Sequence, residues 1–276
     1  MNRTPFFAHV RTNLTGGTLK QSQVEAMDAI LDEAERRGTP LGHLAYILAT
    51  AFHEAGADMA PKRENLFYTK ASRIRAVWPS RFPTEAAAAP FVRNPRGLAN
   101  EVYNGRMGNR PGSDDGWQYS GRGWVQLTGR DNYARASKAL GLDLLSNPDL
   151  ALEPRNAVAI LFDGMEGGWF TKVSLSDVDD TPSFIDDRKV INGTDRAALI
   201  AGYATTFAAA LRSGAYAAAA PAERAPEPAP AAPAAPALTD RETAAVAALA
   251  AWLGRRPANA SAVLAWLNDM PEEAVR

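Results

Sequence analysis

The sequence predicts a mainly α-helical protein: one larger helical domain followed by a small C-terminal helical segment. Apolar residues recur at helical spacing over residues 21–37 and 41–54, and further helical patterns occupy residues 148–170 and 195–211. No alternating apolar run is long enough to indicate a major β-sheet. These observations together place the chain in the mainly α class.

Start and stop residues delimit the predicted helices. Gly38 and Pro40 follow the amphipathic stretch 21–37, and Gly56 is expected to end the helix that begins at Leu41. A short helix is expected over residues 72–78. Further along, Thr194 is positioned to cap the last helix of the larger domain, because Thr is a favoured N-cap residue.

Length and composition indicate three segments. With 276 residues and 46% apolar residues, the chain suits one domain of about 200 residues with a real core. We predict this domain over residues 1–214. Residues 215–238 hold six of the 19 prolines among many alanines, which is typical of a semi-extended linker. Residues 239–276 are expected to form two short helices that dock on the domain, bind the cell wall or contact a protein partner.

Composition excludes several functions. The formal net charge of −1 gives no bulk attraction to nucleic acid or anionic membranes. The absence of cysteine rules out disulfides, thiolate zinc sites and thiol nucleophiles, and three histidines without HExxH argue against a zinc centre. No cofactor is expected. The N-terminus is not a signal peptide and no run of about 18 apolar residues occurs, so synthesis in the cytoplasm without membrane insertion is expected.

Glu54 lies on the same predicted helix face as Ile47 and Ala51. Partial burial and the C-terminal end of the helix dipole both disfavour a charged carboxyl there. Glu64 follows ten residues later on a polar loop. One carboxyl shifted towards neutral and one left ionised would serve as general acid and general base. The alternative is a structural ion pair of Glu54 with Arg63 or His53.

Residues 98–133 are dense in glycine, aromatic and polar residues, which is typical of a carbohydrate-binding groove. Sugar rings stack on aromatic faces, and their hydroxyls need polar partners. We expect faces from Trp117, Tyr119 and Trp124, and polar contacts from Arg122, Gln126 and Asn132. The alternative is a glycine-rich loop region without a binding function.

Four segments in this order resemble the family 19 glycoside hydrolases: HEAG from His53, ENLFYT from Glu64, ANEVYNGRMGN from Ala99, and DGWQYSGRGWVQLTGRDNY from Asp115. VINGTD from Val190 resembles a further motif of the family. The likeness spans roughly residues 40–210 and is closest to the lysozyme-like branch of bacterial and phage endolysins. It implies a two-lobed, lysozyme-like and chitinase-like helical domain with a central cleft.

The resemblance also implies roles for individual residues. Glu54 matches the general acid, Glu64 the carboxylate that activates water, and Thr128 the hydroxyl that helps to hold that water. Residues matching sugar contacts or support for the acid are Gln126, Asn132, Asn192 and His53. The loop between the two acids is one residue longer than is common, which makes Asp58 a reserve candidate for the second carboxylate. Inversion would need carboxyls roughly 6.5–9.5 Å apart.

Three functions follow from the sequence. The first is an endolysin that hydrolyses peptidoglycan glycan strands after release to the cell wall, for example through a holin. The second is a chitinase with the same site and a different substrate. The third is a non-catalytic protein that binds the cell wall.

Overall fold

The computed structural model of the protein describes residues 1–178 and 183–218. Nearly all of the linker predicted over residues 215–238, and the whole segment 239–276, lie outside the described residues. The boundaries at residues 214 and 238 therefore stay predictions.

Eleven α-helices are found in the described part of the chain: α1 Arg3–Asn13, α2 Gln21–Arg37, α3 Leu41–Ala55, α4 Ala71–Val77, α5 Glu85–Ala88, α6 Pro95–Tyr103, α7 Asp115–Gln118, α8 Arg130–Leu140, α9 Pro154–Glu166, α10 Lys189–Asn192 and α11 Ala197–Ser213. Two short strands, β1 Lys62–Arg63 and β2 Arg122–Gly123, pair antiparallel, with Lys62 opposite Gly123. The mainly α fold class is confirmed.

Most of the helix boundaries follow the sequence patterns. Helix α2 has the predicted limits, and Gly38 ends it in the left-handed conformation at φ 68°. Helix α3 ends at Gly56, as its pattern predicted, with φ 70°. The prediction that Thr194 caps the last helix is wrong. Arg196 occupies that N-cap at φ 55° without a side-chain cap.

The larger of two hydrophobic cores is built around α3. All eight residues from Leu44 to Ala51 are buried, so this helix is covered on every side rather than on one face. Helix α11 packs along it, and α2 and α9 contact it from other directions. This central position fixes the direction in which the C-terminal end of α3 presents its last polar residues.

A second, smaller core lies in the segment between residues 66 and 102. Its buried members are Leu66, Ile74, Phe82, Ala88, Leu98, Ala99 and Val102. Trp78 packs edge-on against Tyr68 at 5.7 Å between ring centroids, and Phe82 is buried in the same core. We call the part built on the larger core, around α3, the large lobe, and the part built on the smaller core the small lobe. Together they give the predicted two-lobed architecture.

Within residues 1–178 and 183–218, no helix combines the length and apolar character needed to span a membrane.

Gly116 permits a close approach between α7 and α6. A Cβ at this position would lie 2.6 Å from the Ala99 carbonyl oxygen and 2.8 Å from the Asn100 Cα. Both atoms belong to the backbone of α6, so neither can move aside without shifting the helix. The small lobe therefore depends on a glycine here to hold the loop that follows α7.

We predict that Gly116→Ala destabilises the protein by about 1–3 kcal/mol, because the added methyl group overpacks a helix contact. Gly202→Ala is the matched control, since Gly202 is exposed in α11 and a Cβ there meets nothing within 4 Å. The control should leave stability unchanged or raise it by about 0.5–1 kcal/mol. Urea unfolding midpoints measure both effects, and equal midpoints for the two variants would contradict the packing argument.

Candidate active site

Glu54 lies in the last turn of α3 and forms an ion pair with Arg188. The Arg188 Nη1 donates to Glu54 Oε1 at 3.0 Å, and its Nε donates to the Asp195 carbonyl at 2.8 Å. The Arg188 side chain is 3% exposed and that of Glu54 is 26% exposed. The carboxyl is thus half-buried, as the helix pattern indicated, and its partner is a buried arginine from a segment 134 residues away.

The sequence offered Arg63 or His53 as structural partners of Glu54, and for Arg63 this is wrong. The Arg63 guanidinium lies 3.7 Å from the centre of the Trp117 ring, and its Nη2 donates to the Trp117 carbonyl at 2.7 Å. Arg188 was missed because nothing in its sequence neighbourhood links it to α3. Only the packing of the segment before α10 against the end of α3 brings the two together.

His53 precedes Glu54 and is half-buried beside it. Burial lowers the pKa of His53 below its usual value, although the Glu54 carboxylate opposes this shift. The positive charges of Arg188 and Arg196 lower the pKa further. The neutral imidazole is therefore favoured, which agrees with the supporting role that the resemblance implied for this residue.

Glu64 lies directly after β1 and is held by the small lobe. Its carboxylate accepts a hydrogen bond from the Tyr103 hydroxyl at 2.7 Å and a longer one from the Gly121 backbone N–H at 3.4 Å. Its own N–H donates to the Gly121 carbonyl at 2.8 Å. Burial and the negative charge of Glu64 raise the pKa of Tyr103, so this hydroxyl remains a donor.

Gly121 brings the second carboxylate together with two other predicted site residues. A Cβ on Gly121 would lie 2.8 Å from Gln126 Oε1 and 3.3 Å from both Glu64 Cβ and Thr128 Oγ1. The three side chains therefore surround one glycine, and any larger residue there would push them apart. This is the clearest grouping among the residues proposed from the sequence.

The strained loop after β2 orients this group. Gln126 has φ 52°, a conformation that residues other than glycine rarely adopt, and its Nε2 donates to the carbonyls of Lys62 and Gly123. The Thr128 hydroxyl donates to the Gln126 carbonyl at 2.7 Å, which leaves its oxygen free to accept a hydrogen bond. Asn132 donates to the Thr128 carbonyl at 2.8 Å and so braces the same loop.

Asp58, the reserve candidate, lies apart from this group. Its side chain is 64% exposed and pairs with Lys20 at 2.5 Å. The hydrogen bond from Lys20 lowers the pKa of Asp58. The Asp58 carboxylate is thus held by a surface lysine of the large lobe, whereas Glu64 has donors and neighbouring site residues around it.

The predicted sugar contacts of Tyr119, Trp124 and Arg122 are wrong. Tyr119 and Trp124 are 2% and 1% exposed, so neither ring offers a face to a ligand. Both belong to the large core, where the Trp124 Nε1 donates to the Met59 carbonyl at 2.6 Å. Large aromatic side chains bury much apolar area, and here that packing decides their place.

Arg122 is 3% exposed and serves as a structural centre for the loop. Its Nη1 donates to the carbonyls of Gln118 and Ser120 and to the Tyr133 hydroxyl, and its Nε pairs with Asp149 at 2.8 Å. With these bonds the guanidinium is engaged by protein groups on several sides. Arg122 therefore supports the loop around Gly121 through these internal hydrogen bonds.

Asn192 is exposed at the end of α10, four residues after Arg188. Its predicted sugar contact stays a prediction. The Arg63 guanidinium covers one face of the half-buried Trp117 ring, so that face is already occupied.

Comparison with known proteins agrees with the motifs. The family described as chitinase class I, within the family 19 glycoside hydrolases, matches residues 47–196, which is more than half of the chain. These residues include both carboxylates, the loop around Gly121 and Arg188.

Individual relatives match over shorter stretches. A glycosyl hydrolase family 19 domain-containing protein of Haemophilus influenzae is 41% identical over 101 residues, 36% of this chain and 50% of that protein. Chitinase 8 of Oryza sativa subsp. japonica is 36% identical over 120 residues, 34% of this chain and 45% of that protein. An acidic 27 kDa endochitinase of Solanum lycopersicum is 51% identical over 45 residues, 16% of this chain and 17% of the relative.

The chain thus spans about half the length, or less, of these curated relatives. The family match covers the small lobe, part of the large lobe and both carboxylates with their partners Arg188 and Tyr103. On that match, the chain belongs to the family 19 glycoside hydrolases.

Proposed function

We propose that this protein hydrolyses the β-1,4-linked glycan strand of bacterial peptidoglycan by acid–base catalysis with inversion. The observation that carries the proposal is the division of two carboxylates between the lobes. Glu54 is held by the large lobe through Arg188, and Glu64 is held by the small lobe through Tyr103. Two carboxyls in different surroundings are what a glycosidase uses as acid and base.

In the proposed reaction, protonated Glu54 donates its proton to the glycosidic oxygen as the bond to the anomeric carbon breaks. Glu64 takes a proton from a water that attacks this carbon from the opposite face. The Thr128 oxygen, close to Glu64 around Gly121, would accept a hydrogen bond from that water. The products are two shorter strands, one of which gains a free reducing end.

The groups around each carboxylate suit it to one of the two proposed roles. Glu64 accepts hydrogen bonds from the Tyr103 hydroxyl and the Gly121 N–H, and these two donors hold its carboxyl group in place for the role of general base. Arg188 orients Glu54 and supplies a positive charge that can stabilise the carboxylate left after proton donation. No metal or cofactor takes part in this proposal.

The choice of peptidoglycan rests on the motif likeness to the lysozyme-like endolysin branch. Chitin is the second candidate, because plant relatives of this chain are named chitinases. A protein that only binds cell walls is the third. Action at the cell wall after release from the cytoplasm belongs to the same proposal.

We predict that Glu54→Gln abolishes the release of soluble fragments from purified peptidoglycan, because the amide cannot donate the required proton. Glu25→Gln is the matched control, since Glu25 is exposed on α2 away from the site. Mass spectrometry of the digests also identifies the bond: reducing-end muramic acid marks one linkage and reducing-end glucosamine the other. Turnover by Glu54→Gln would contradict the assignment, and wild-type activity on chitin oligomers alone would favour the chitinase.

The second carboxylate is tested by comparing Glu64→Gln with Asp58→Asn. We expect Glu64→Gln to lower kcat by about 10²–10⁴-fold, the usual contribution of a general base. Asp58→Asn should keep kcat within about twofold, since only an exposed ion pair with Lys20 is lost. The reverse ranking of kcat values would make Asp58 the base.

Arg188→Gln tests the ion pair that orients Glu54. We expect kcat to fall about tenfold, the effect of losing one charge-assisted hydrogen bond. Arg188→Lys keeps the positive charge, so it should lose less kcat than Arg188→Gln does. Thermal unfolding of each variant checks that it remains folded. A folded Arg188→Gln variant with unchanged kcat would contradict the role given to this ion pair.

A further inference from the structure

Positive charge is concentrated in the small lobe. Residues 62–118, which contain the small-lobe core and helix α7, hold ten Lys and Arg and five Asp and Glu, a formal charge of +5, although the whole chain carries −1. The rest of the chain therefore carries −6. Such a separation of charge produces a field that draws anionic ligands towards one side of the molecule.

In the described part of the chain, some of these Lys and Arg side chains form ion pairs and others do not. Arg81, Arg96 and Arg110 form ion pairs with acidic neighbours. Among the described residues, no ion-pair partner is found for the exposed cations Lys70, Arg73, Arg75, Arg93 and Arg106. Unpaired guanidinium groups on a surface are available to bind carboxylates from outside.

Three of these arginines are tied to the tyrosines that neighbour Glu64. The backbone N–H of Arg93 donates to the backbone carbonyl of Tyr68 at 2.8 Å, and the backbone N–H of Arg106 donates to the backbone carbonyl of Tyr103 at 3.3 Å. Burial and the negative charge of Glu64 raise the pKa of Tyr68, and the positive charge of Arg73 opposes this shift. The positive charge of Arg106 acts in the same opposing sense on the pKa of Tyr103. The Tyr103 hydroxyl itself binds the Glu64 carboxylate.

We infer that Arg73, Arg93 and Arg106 form a basic rim beside Glu64 that binds the carboxylates of the peptides branching from a peptidoglycan strand. The inference rests on the proposed function and makes the substrate an anionic polymer. Chitin is a neutral polymer of N-acetylglucosamine and has no carboxylate for these arginines. The rim would hold a strand in place through its side branches while the two catalytic carboxylates act on its backbone.

The test measures binding of the full-length protein to insoluble peptidoglycan by co-sedimentation, alongside the release of reducing ends. One preparation is native, and a second has its carboxyl groups converted to neutral amides. The double variant Arg73→Gln/Arg106→Gln removes two rim charges. The double variant Arg11→Gln/Arg212→Gln removes the same net charge from exposed positions of α1 and α11 in the large lobe.

For the wild type and the large-lobe control, we expect amidation of the peptidoglycan to weaken binding about three- to tenfold, as for a few exposed charge pairs. The rim variant should bind native peptidoglycan more weakly than the large-lobe control does, and amidation should weaken its binding less than it weakens wild-type binding. Raising the salt concentration should reduce this difference, because salt screens exposed charges. Thermal unfolding checks that both double variants remain folded.

Equal binding of native and amidated peptidoglycan by the wild type would overturn the inference, as would equal losses in the two double variants. Absence of wild-type binding to either preparation would overturn it as well. Carboxylate-dependent binding without release of reducing ends would support the rim and refute the proposed hydrolase. Equal hydrolysis of both preparations would keep the hydrolase and refute the rim.

Discussion

Burial of the eight central residues of α3 is the constraint on which the rest of the structure depends. Its eight residues from Leu44 to Ala51 are covered on all sides, so the helix can neither rotate nor slide without opening the large core. Because helix α11 and its neighbours fix α3, the turn after Ala51 must emerge where the core ends. Glu54 is carried on that turn, and its orientation is set by this packing together with the ion pair to Arg188.

Two buried arginines hold the loop segments next to the helices in place. Arg122 ties β2 to the carbonyls of the preceding turn, to Tyr133 and to Asp149, and Arg188 ties Asp195 to Glu54. A buried guanidinium is costly unless its N–H groups are bonded, so each arginine fixes several loop groups at once. Irregular segments on both sides of the site thereby gain defined positions, with little sheet beyond the two-residue pair of β1 and β2 in the described part of the chain.

The two lobes contribute different chemistry. The large lobe holds Glu54 beside a buried cation, and the small lobe supplies the Tyr103 hydroxyl that donates to the Glu64 carboxylate. Residues 62–118, which contain the small-lobe core, carry a formal charge of +5. Division of tasks between lobes lets the surroundings of each carboxyl be set independently, which acid–base catalysis requires.

The sequence by itself determined the helical class, the limits of α2, the end of α3 at Gly56 and the motifs around Glu54 and Glu64, because helical periodicity and glycine stop signals are local. The tertiary structure decided which polar and aromatic residues face a ligand. Tyr119, Trp124 and Arg122 have the composition of a sugar-binding groove, yet packing and hydrogen bonding bury them. Arg188 reaches Glu54 across 134 residues, and no local pattern can report a contact made only by packing.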